Sequence, residues 1–388
     1  MGQGQHKRAV FNRDDVQAFV GSVFEDVHAK RVLSIANATT GVLTSASLAV
    51  SAIGQGMAHA LGLRHKHSAK QVDRLLSNPR FDVWDYFRYW VPHLVGERKA
   101  IVVALDWTDF DRDGQTTIAL NLLTDHGRAI PMVWKTVCKS ALKERRNEYE
   151  DAVLHRLHDT LPDGVAVTVV ADRGFMDTKL LEELRDSLHF GYIIRLRGDV
   201  TVTATTGEKR TAEEWVGRNG RTKTLRKAGL TAKGFVVPTI VCTKAKDMKE
   251  PWCLASSDEE AVPADLMKYY GKRWGIETYF RDTKDLRFGM GMDAIHLKTP
   301  ARRDRLFLIS ALAIVLLTLL GTVSESTGYD RYLKTNTAKH RTVSLFRQGL
   351  MIYDLLPNMR EGDLQLLMVG FNKAVREQAA LAAVFSGA

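Results

Sequence analysis

The sequence predicts an α/β fold, in which a mixed sheet core carries a β-rich insertion and is flanked by helical N-terminal and C-terminal regions. Three observations lead there. From about Lys99, three strand-like runs, AIVVALDW, TTIALNLL and AIPMVWKT, follow one another with the turn signals DRDG and TDHG between them. Helix and strand patterns then alternate as far as Arg197, the mark of a mixed α/β sheet. Before residue 98 there is no run of alternating strand character, and after residue 335 the pattern is again helical throughout, as it already is from the segment at Tyr270.

Taken in order, residues 1–98 predict a helical domain with helices near Asp14–Ala29, Thr44–Leu61, Ser68–Leu76 and Asp82–Val95. The turn GLRHKHS joins the second to the third, with Ser68 as N-cap, in the manner of a helix-turn-helix. That arrangement would turn Lys70, Gln71 and Arg74 toward a DNA groove. Residues 99–197 form the first part of the core: the three-stranded antiparallel meander, a helix over Ser140–Leu161, the strand VAVTVVA, a short helix over Asp177–Ser187 and the strand FGYIIRLR. Residues 198–260 are β-like and basic, with TVTATT, TKTLRKAGL and FVVPTIVCT as strands, and predict an inserted subdomain. The core resumes over 261–335, and residues 336–388 form a helical tail through TAKHRTVSLFRQGLMIYDLL and EGDLQLLMVGFNKAVREQAALAAVF.

Composition narrows the function classes. The 388 residues carry a formal charge of +10, which favours a polyanionic partner, nucleic acid or an acidic membrane surface. The run Leu306–Val323 just reaches membrane-spanning length, yet a single span in an otherwise charged chain is less consistent than a buried core helix. The expectation is no membrane. Cys138, Cys242 and Cys253 are odd in number and widely spaced, so neither a disulfide framework nor a zinc site is expected, and a reducing cytoplasm fits. The first residues lack an apolar stretch, so no secretory signal is expected, and His6 stands where a myristoylation box needs Ser or Thr.

The chemistry concentrates in acids. Asp106 closes the first strand and Asp172 the strand VAVTVVAD, so if those strands are neighbours both carboxylates emerge at one edge, where they repel unless a cation lies between them. In YGKRWGIETYFRDTK, the residues Tyr270, Arg273, Glu277, Arg281 and Lys284 fall within an arc of roughly 80° on one helix. Laid across that edge, the polar stripe makes Glu277 a third carboxylate, and three of them suit Mg²⁺ or Mn²⁺. Two such ions about 4 Å apart serve phosphoryl transfer. Arg273, Arg281 and Lys284 would hold phosphates and Tyr270 would donate to a phosphate or a base. The alternative for the stripe is a solvated face with an Arg273–Glu277 ion pair. DFDRDG from Asp109 to Gly114 imitates a calcium loop, but Leu120 occupies its bidentate position, so it is expected to be a turn.

Spaced as Y-x2-R-x3-E-x6-K, Tyr270, Arg273, Glu277 and Lys284 resemble the signature of bacterial DDE transposases of the insertion-sequence-four group. DWT at Asp106, ADRGF at Asp172, YIIRLR at Tyr192 and TVSLFRQG in the tail are similar to further motifs of that group. The resemblance covers most of residues 100–350. It implies a ribonuclease-H-like core interrupted by a β insertion before the glutamate helix. It also implies Asp106, Asp172 and Glu277 as catalytic metal ligands for two Mg²⁺ ions, double-stranded DNA as partner, a homodimer pairing the two element ends, and a bacterial, nucleoid-associated location. PWCLASS resembles the strand that, in hairpin-forming members, carries a tryptophan stacking on a flipped base, which would give that role to Trp252, with a buried structural tryptophan as the alternative. The expected activity is cut-and-paste transposition; a domesticated DNA-binding protein and a nuclease that cuts without joining are the alternatives.

Overall fold

The computed structural model describes residues 13–376 except 218, 219, 233 and 247. His6 and the tail beyond residue 376 lie outside the described residues. Five helices come first: α1 (Arg13–Val23), α2 (Ala29–Ser45), α3 (Val50–Leu61), α4 (His65–Ser77) and α5 (Val83–Val95). The helix expected over Asp14–Ala29 stops at Val23, and α2 fills a stretch that the sequence left between helices. Threonines and β-branched residues in α2 weaken its intrinsic propensity. Burial of Val32, Ile35, Ala36, Thr39, Val42 and Leu43 at helical spacing overrides that weakness. Ser68 is not an N-cap: it sits inside α4, buried, and donates to the Arg64 carbonyl at 3.3 Å. Asp82 does cap α5, accepting the Trp84 N–H at 3.1 Å.

The meander forms as expected from β1 (Ala100–Phe110), β2 (Gln115–Leu123) and β3 (Ala129–Cys138), all antiparallel. The helix expected from Ser140 begins later, as α6 (Arg146–Thr160), and leads to β4 (Ala166–Ala171), which pairs parallel with β1. A short α7 (Thr178–Glu182), capped by Asp177, leads to β5 (Gly191–Arg195), parallel to β4. Then come β6 (Thr201–Thr203), β7 (Lys209–Thr211), β8 (Lys223–Leu230), β9 (Phe235–Thr243) and β10 (Trp252–Ser256). The strand order is β3-β2-β1-β4-β5-β10-β9-β8-β6-β7 in one sheet of ten strands. The β-rich block is therefore continuous with the core sheet: β10 pairs antiparallel with β5, Leu254 opposite Arg195, and so covers an edge that would otherwise be unpaired.

The chain returns to helix in α8 (Pro263–Lys272), α9 (Trp274–Lys284), α10 (Pro300–Ser326), α11 (Leu345–Leu355) and α12 (Glu361–Arg376). Helix α10 is apolar enough to cross a membrane, but 94% of its most hydrophobic window is buried inside the protein, against α2, β3, α11 and α12. Its all-round hydrophobicity reflects contacts on several sides. Gly321 of α10 and Gly349 of α11 let the two backbones touch, since a methyl group at Gly349 would fall on the Leu317 carbonyl oxygen. Gly349→Ala is accordingly expected to lower stability by about 1–3 kcal/mol through overpacking. An unchanged melting temperature for that variant would count against this helix contact.

Candidate active site

The position of each residue along β1 sets the first carboxylate. Side chains alternate across a strand. Trp107 points to α6, where its Nε1 donates to Glu150 at 2.8 Å, so Asp106 and Thr108 face the other way, toward α9. In the parallel register of β1 and β4, Leu105 stands level with Ala171, so Asp106 and Asp172 come side by side. Asp172 follows the end of β4, but Asp106 does not close its strand as expected, because β1 runs on to Phe110 with Asp106 still paired to Ala119 of β2. The Asp172 carboxylate accepts the Gly174 N–H at 2.7 Å and opens a tight turn over Arg173–Phe175.

The single helix expected over Tyr270–Lys284 is broken. At Arg273 the chain makes a tighter turn, with Arg273 N–H donating to the Tyr270 carbonyl at 3.1 Å and Ile276 N–H to the Arg273 carbonyl at 3.0 Å. Tyr270 thus belongs to α8, while Glu277, Arg281 and Lys284 project from α9. Nor is the stripe an open face: Tyr270 is only 2% exposed and packs edge-on to Trp252, ring centroids 4.7 Å apart. Three anchors on the β2–β3 turn hold α9 over the sheet. Arg128 pairs with Asp282 at 2.6 Å, Thr278 donates to the Gly127 carbonyl at 3.1 Å, and Gly275 passes so near Ala129 that a Cβ would lie 3.2 Å from its backbone nitrogen.

Arg273 links the acids. It is 8% exposed, and its guanidinium reaches Asp106 Oδ2 at 3.3 Å and Glu277 Oε1 at 3.0 Å. The ion pair with Glu277 was one reading of the sequence; the simultaneous hold on Asp106 was not. Burial pushes the Asp106 carboxyl up to about 6, outweighing the pull of the Arg273 charge, and the negative charges of Asp172 and Glu277 push the same way. A carboxyl that binds its proton more tightly in the folded chain than in the unfolded one stabilises the fold most below its ordinary value of 3.8, and that contribution is lost as pH rises through about 6. For the metal-free protein the expected size is roughly 3 kcal/mol. Asp106→Asn should flatten the dependence of unfolding free energy on pH across that interval; an unaltered dependence would contradict the assignment.

Lys284 does not join the acids. Its Nζ donates to the Asp109 carbonyl at 2.6 Å and to Thr108 Oγ1 at 3.2 Å, and lies 3.5 Å from Asp293, so it fastens the end of α9 to β1. Arg281 is exposed. Trp252 opens β10 and is partly buried against Tyr270. The exposed indole in this region is Trp274, 56% exposed and next to Arg273. Sequence reasoning passed over Trp274, and also Arg173, Arg195 and Arg197 around Asp172. Arg173 and Arg195 share Glu250 at 3.1 and 2.8 Å, and Arg197 donates to the Arg173 carbonyl at 3.3 Å. The signal was present in YIIRLR, where two arginines two residues apart point to one face of a strand.

In the N-terminal helices, Lys70, Gln71 and Arg74 are exposed on α4. Gln71 and Arg74 line a cleft of about 410 Å³ together with His28, Lys30, Arg31 and Ser34 of α2 and its approach, and no carboxylate lines it. Lys70 stands outside that cleft. The calcium-like loop is a turn, as expected: Lys139 pairs with Asp109 and Asp111, and Arg303 with Asp113.

Among the described residues, no three acidic, histidine or cysteine side chains are gathered closely enough to share one metal ion. Asp106, Asp172 and Glu277 nevertheless offer a hard divalent cation nothing but carboxylate oxygens, the donors it prefers. In this conformation the Arg273 guanidinium supplies the positive charge between two of them.

Strands β1 to β5, with the parallel pairs β1–β4 and β4–β5 and helices on the sheet faces, have a ribonuclease-H-like architecture. The family model of the transposase DDE domain matches residues 97–316, more than half of the chain, and the chain belongs to that family. Transposases of this family act on DNA and generally use divalent metal ions. A search of curated proteins finds no match.

Proposed function

We propose that this chain is a cut-and-paste transposase of the insertion-sequence-four group, acting on the ends of its own element in a bacterial cytoplasm. The observation that carries the reading is Asp106 on β1 beside Asp172, which follows the end of the neighbouring parallel β4, with Asp106 joined through Arg273 to Glu277 on α9. Asp106, Asp172 and Glu277 would hold two Mg²⁺ ions, with Mn²⁺ as a substitute, and these supply activation of the attacking oxygen and charge neutralisation at the leaving one. The protein's own groups orient the strand. Exposed Arg281, with Arg173 and Arg197 around Asp172, meets backbone phosphates, and Arg273 can exchange its hold on Asp106 for a phosphate oxygen. Lys284 and Tyr270 act by positioning, the first through β1 and the second beneath Arg273. For a hairpin intermediate, an extruded base has the exposed Trp274 to stack on, while Trp252 would have to leave Tyr270 to do the same.

The cleft between α2 and α4 suits end binding. Its cations lie without a lining carboxylate and would take a DNA backbone rather than a base edge. Replacing Lys30 and Arg74 by Ala together should weaken DNA binding about equally for all sequences and lower the salt slope by about 0.9 for each phosphate that is no longer neutralised. A loss confined to one sequence, measured by titration at several salt concentrations, would mean base readout instead. Two chains would pair the two ends as a homodimer.

The test incubates the protein with labelled DNA from the ends of its own coding locus, a target plasmid and Mg²⁺. Joined product supports the proposal. Cleaved ends without joining would identify a nuclease, and binding without cleavage a domesticated DNA-binding protein.

A further inference from the structure

The fold brings together two cysteines that are separated in sequence. The β9–β10 pairing sets Cys253 directly opposite Cys242. The Cys253 carbonyl accepts the Leu196 N–H at 2.7 Å, on the β5 side of the strand, so the backbone polar groups of Cys253 turn away from β9. The two cysteines are therefore a non-hydrogen-bonded antiparallel pair, the kind whose Cα atoms stand about 4.5 Å apart with side chains at their closest. That separation lies within the roughly 4.4–6.8 Å that a disulfide bridges without backbone movement. Both side chains are on one face of the sheet, and both are buried, at 0% and 3% exposed. The Cys253 thiol donates to the Ala212 carbonyl at 3.0 Å. A hydrogen bond to that thiol, reinforced by burial, pushes the Cys242 thiol far up, so Cys242 rests as the thiol.

We propose that Cys242 and Cys253 form a redox modification site, a buried dithiol that a small-molecule disulfide such as oxidised glutathione converts to a cross-strand disulfide between β9 and β10. The Cys253 thiolate attacks the small disulfide, forming a mixed disulfide and releasing one glutathione thiolate. The Cys242 thiolate then displaces the second glutathione and forms the internal S–S bond. The two protons lost by the cysteines end on the two glutathione thiols, and the protein pair is oxidised by two electrons as the small disulfide is reduced. The bond would fix β9 to β10 beside Trp252, whose ring rests on Tyr270 just before the turn at Arg273. This inference does not depend on the transposition reading.

The experiment uses the full chain carrying Cys138→Ser, which removes the exposed third thiol. Native protein is equilibrated in buffers with rising ratios of oxidised to reduced glutathione, then unfolded, alkylated and weighed. The expected product is lighter than the dithiol by two hydrogens, resists alkylation, yields a peptide joining Cys242 to Cys253, and reverts with dithiothreitol. It should also melt at a higher temperature than the reduced chain. Adding Cys242→Ser or Cys253→Ser should abolish the lighter species. Full alkylation of both cysteines at every ratio, separate glutathione adducts on each, or a cross-link that forms only after unfolding would overturn the proposal.

Discussion

Glu277→Gln is expected to lower the DNA cleavage rate by at least about a thousandfold, about 4 kcal/mol in the barrier, while leaving the fold and the binding of element ends in place. The side chain projects from the first turn of α9 with 41% of its area exposed and is held by Arg273. The amide has the same shape and can still accept from the guanidinium, and an exposed ion pair contributes about 1 kcal/mol or less. What disappears is the charge, which a cation at this site requires. Asp172→Asn should behave alike, because an amide oxygen can still accept the Gly174 N–H that shapes its turn. Single-turnover cleavage, a melting curve and a binding titration on the same preparations separate the effects. Cleavage within tenfold of wild type, with binding intact, would remove Glu277 from the chemistry.

Arg273→Ala should act on stability first and in a metal-dependent way. Deleting one partner of a buried ion pair costs about 3–5 kcal/mol, because the other partner's charge is left without compensation. Here Asp106 is largely buried and Glu277 is not, so about 2–3 kcal/mol is expected in the presence of a chelator. Mg²⁺ should return part of that loss, since it can neutralise the same carboxylates, and should therefore raise the melting temperature of the variant more than that of the wild type. Arg273→Lys should rescue poorly, because one ammonium cannot reproduce a planar fork that reaches two carboxylates. Equal Mg²⁺ effects on wild type and variant would show that Arg273 and the cation do not share a place.

Strand patterns between Lys99 and Arg197 were legible because each is a short apolar run bounded by turn residues, and the meander and the two parallel strands follow them closely. Helix α2 was not legible, since its threonines and small residues have weak helix propensity and its stability comes from neighbours that are distant in sequence. The break at Arg273 was missed for a related reason. Periodicity records which residues share a side but not whether the backbone bonds run i to i−4 or tighten by one, a choice made by the anchors on the β2–β3 turn.

By itself, the sequence determined the α/β class, the apolar helix at Leu306–Val323, and the identity and spacing of Asp106, Asp172, Arg273 and Glu277, because periodicity, hydrophobicity and residue type are local properties, whereas the burial of that helix came from its neighbours. The tertiary structure alone decided that Asp106 and Asp172 are neighbours, that Arg273 grips two acids at once, that Lys284 is turned to β1 and Tyr270 buried, and that Cys242 meets Cys253. Each of these is a contact between segments remote in sequence, set by strand order and register, and no local pattern specifies which strand will lie beside which.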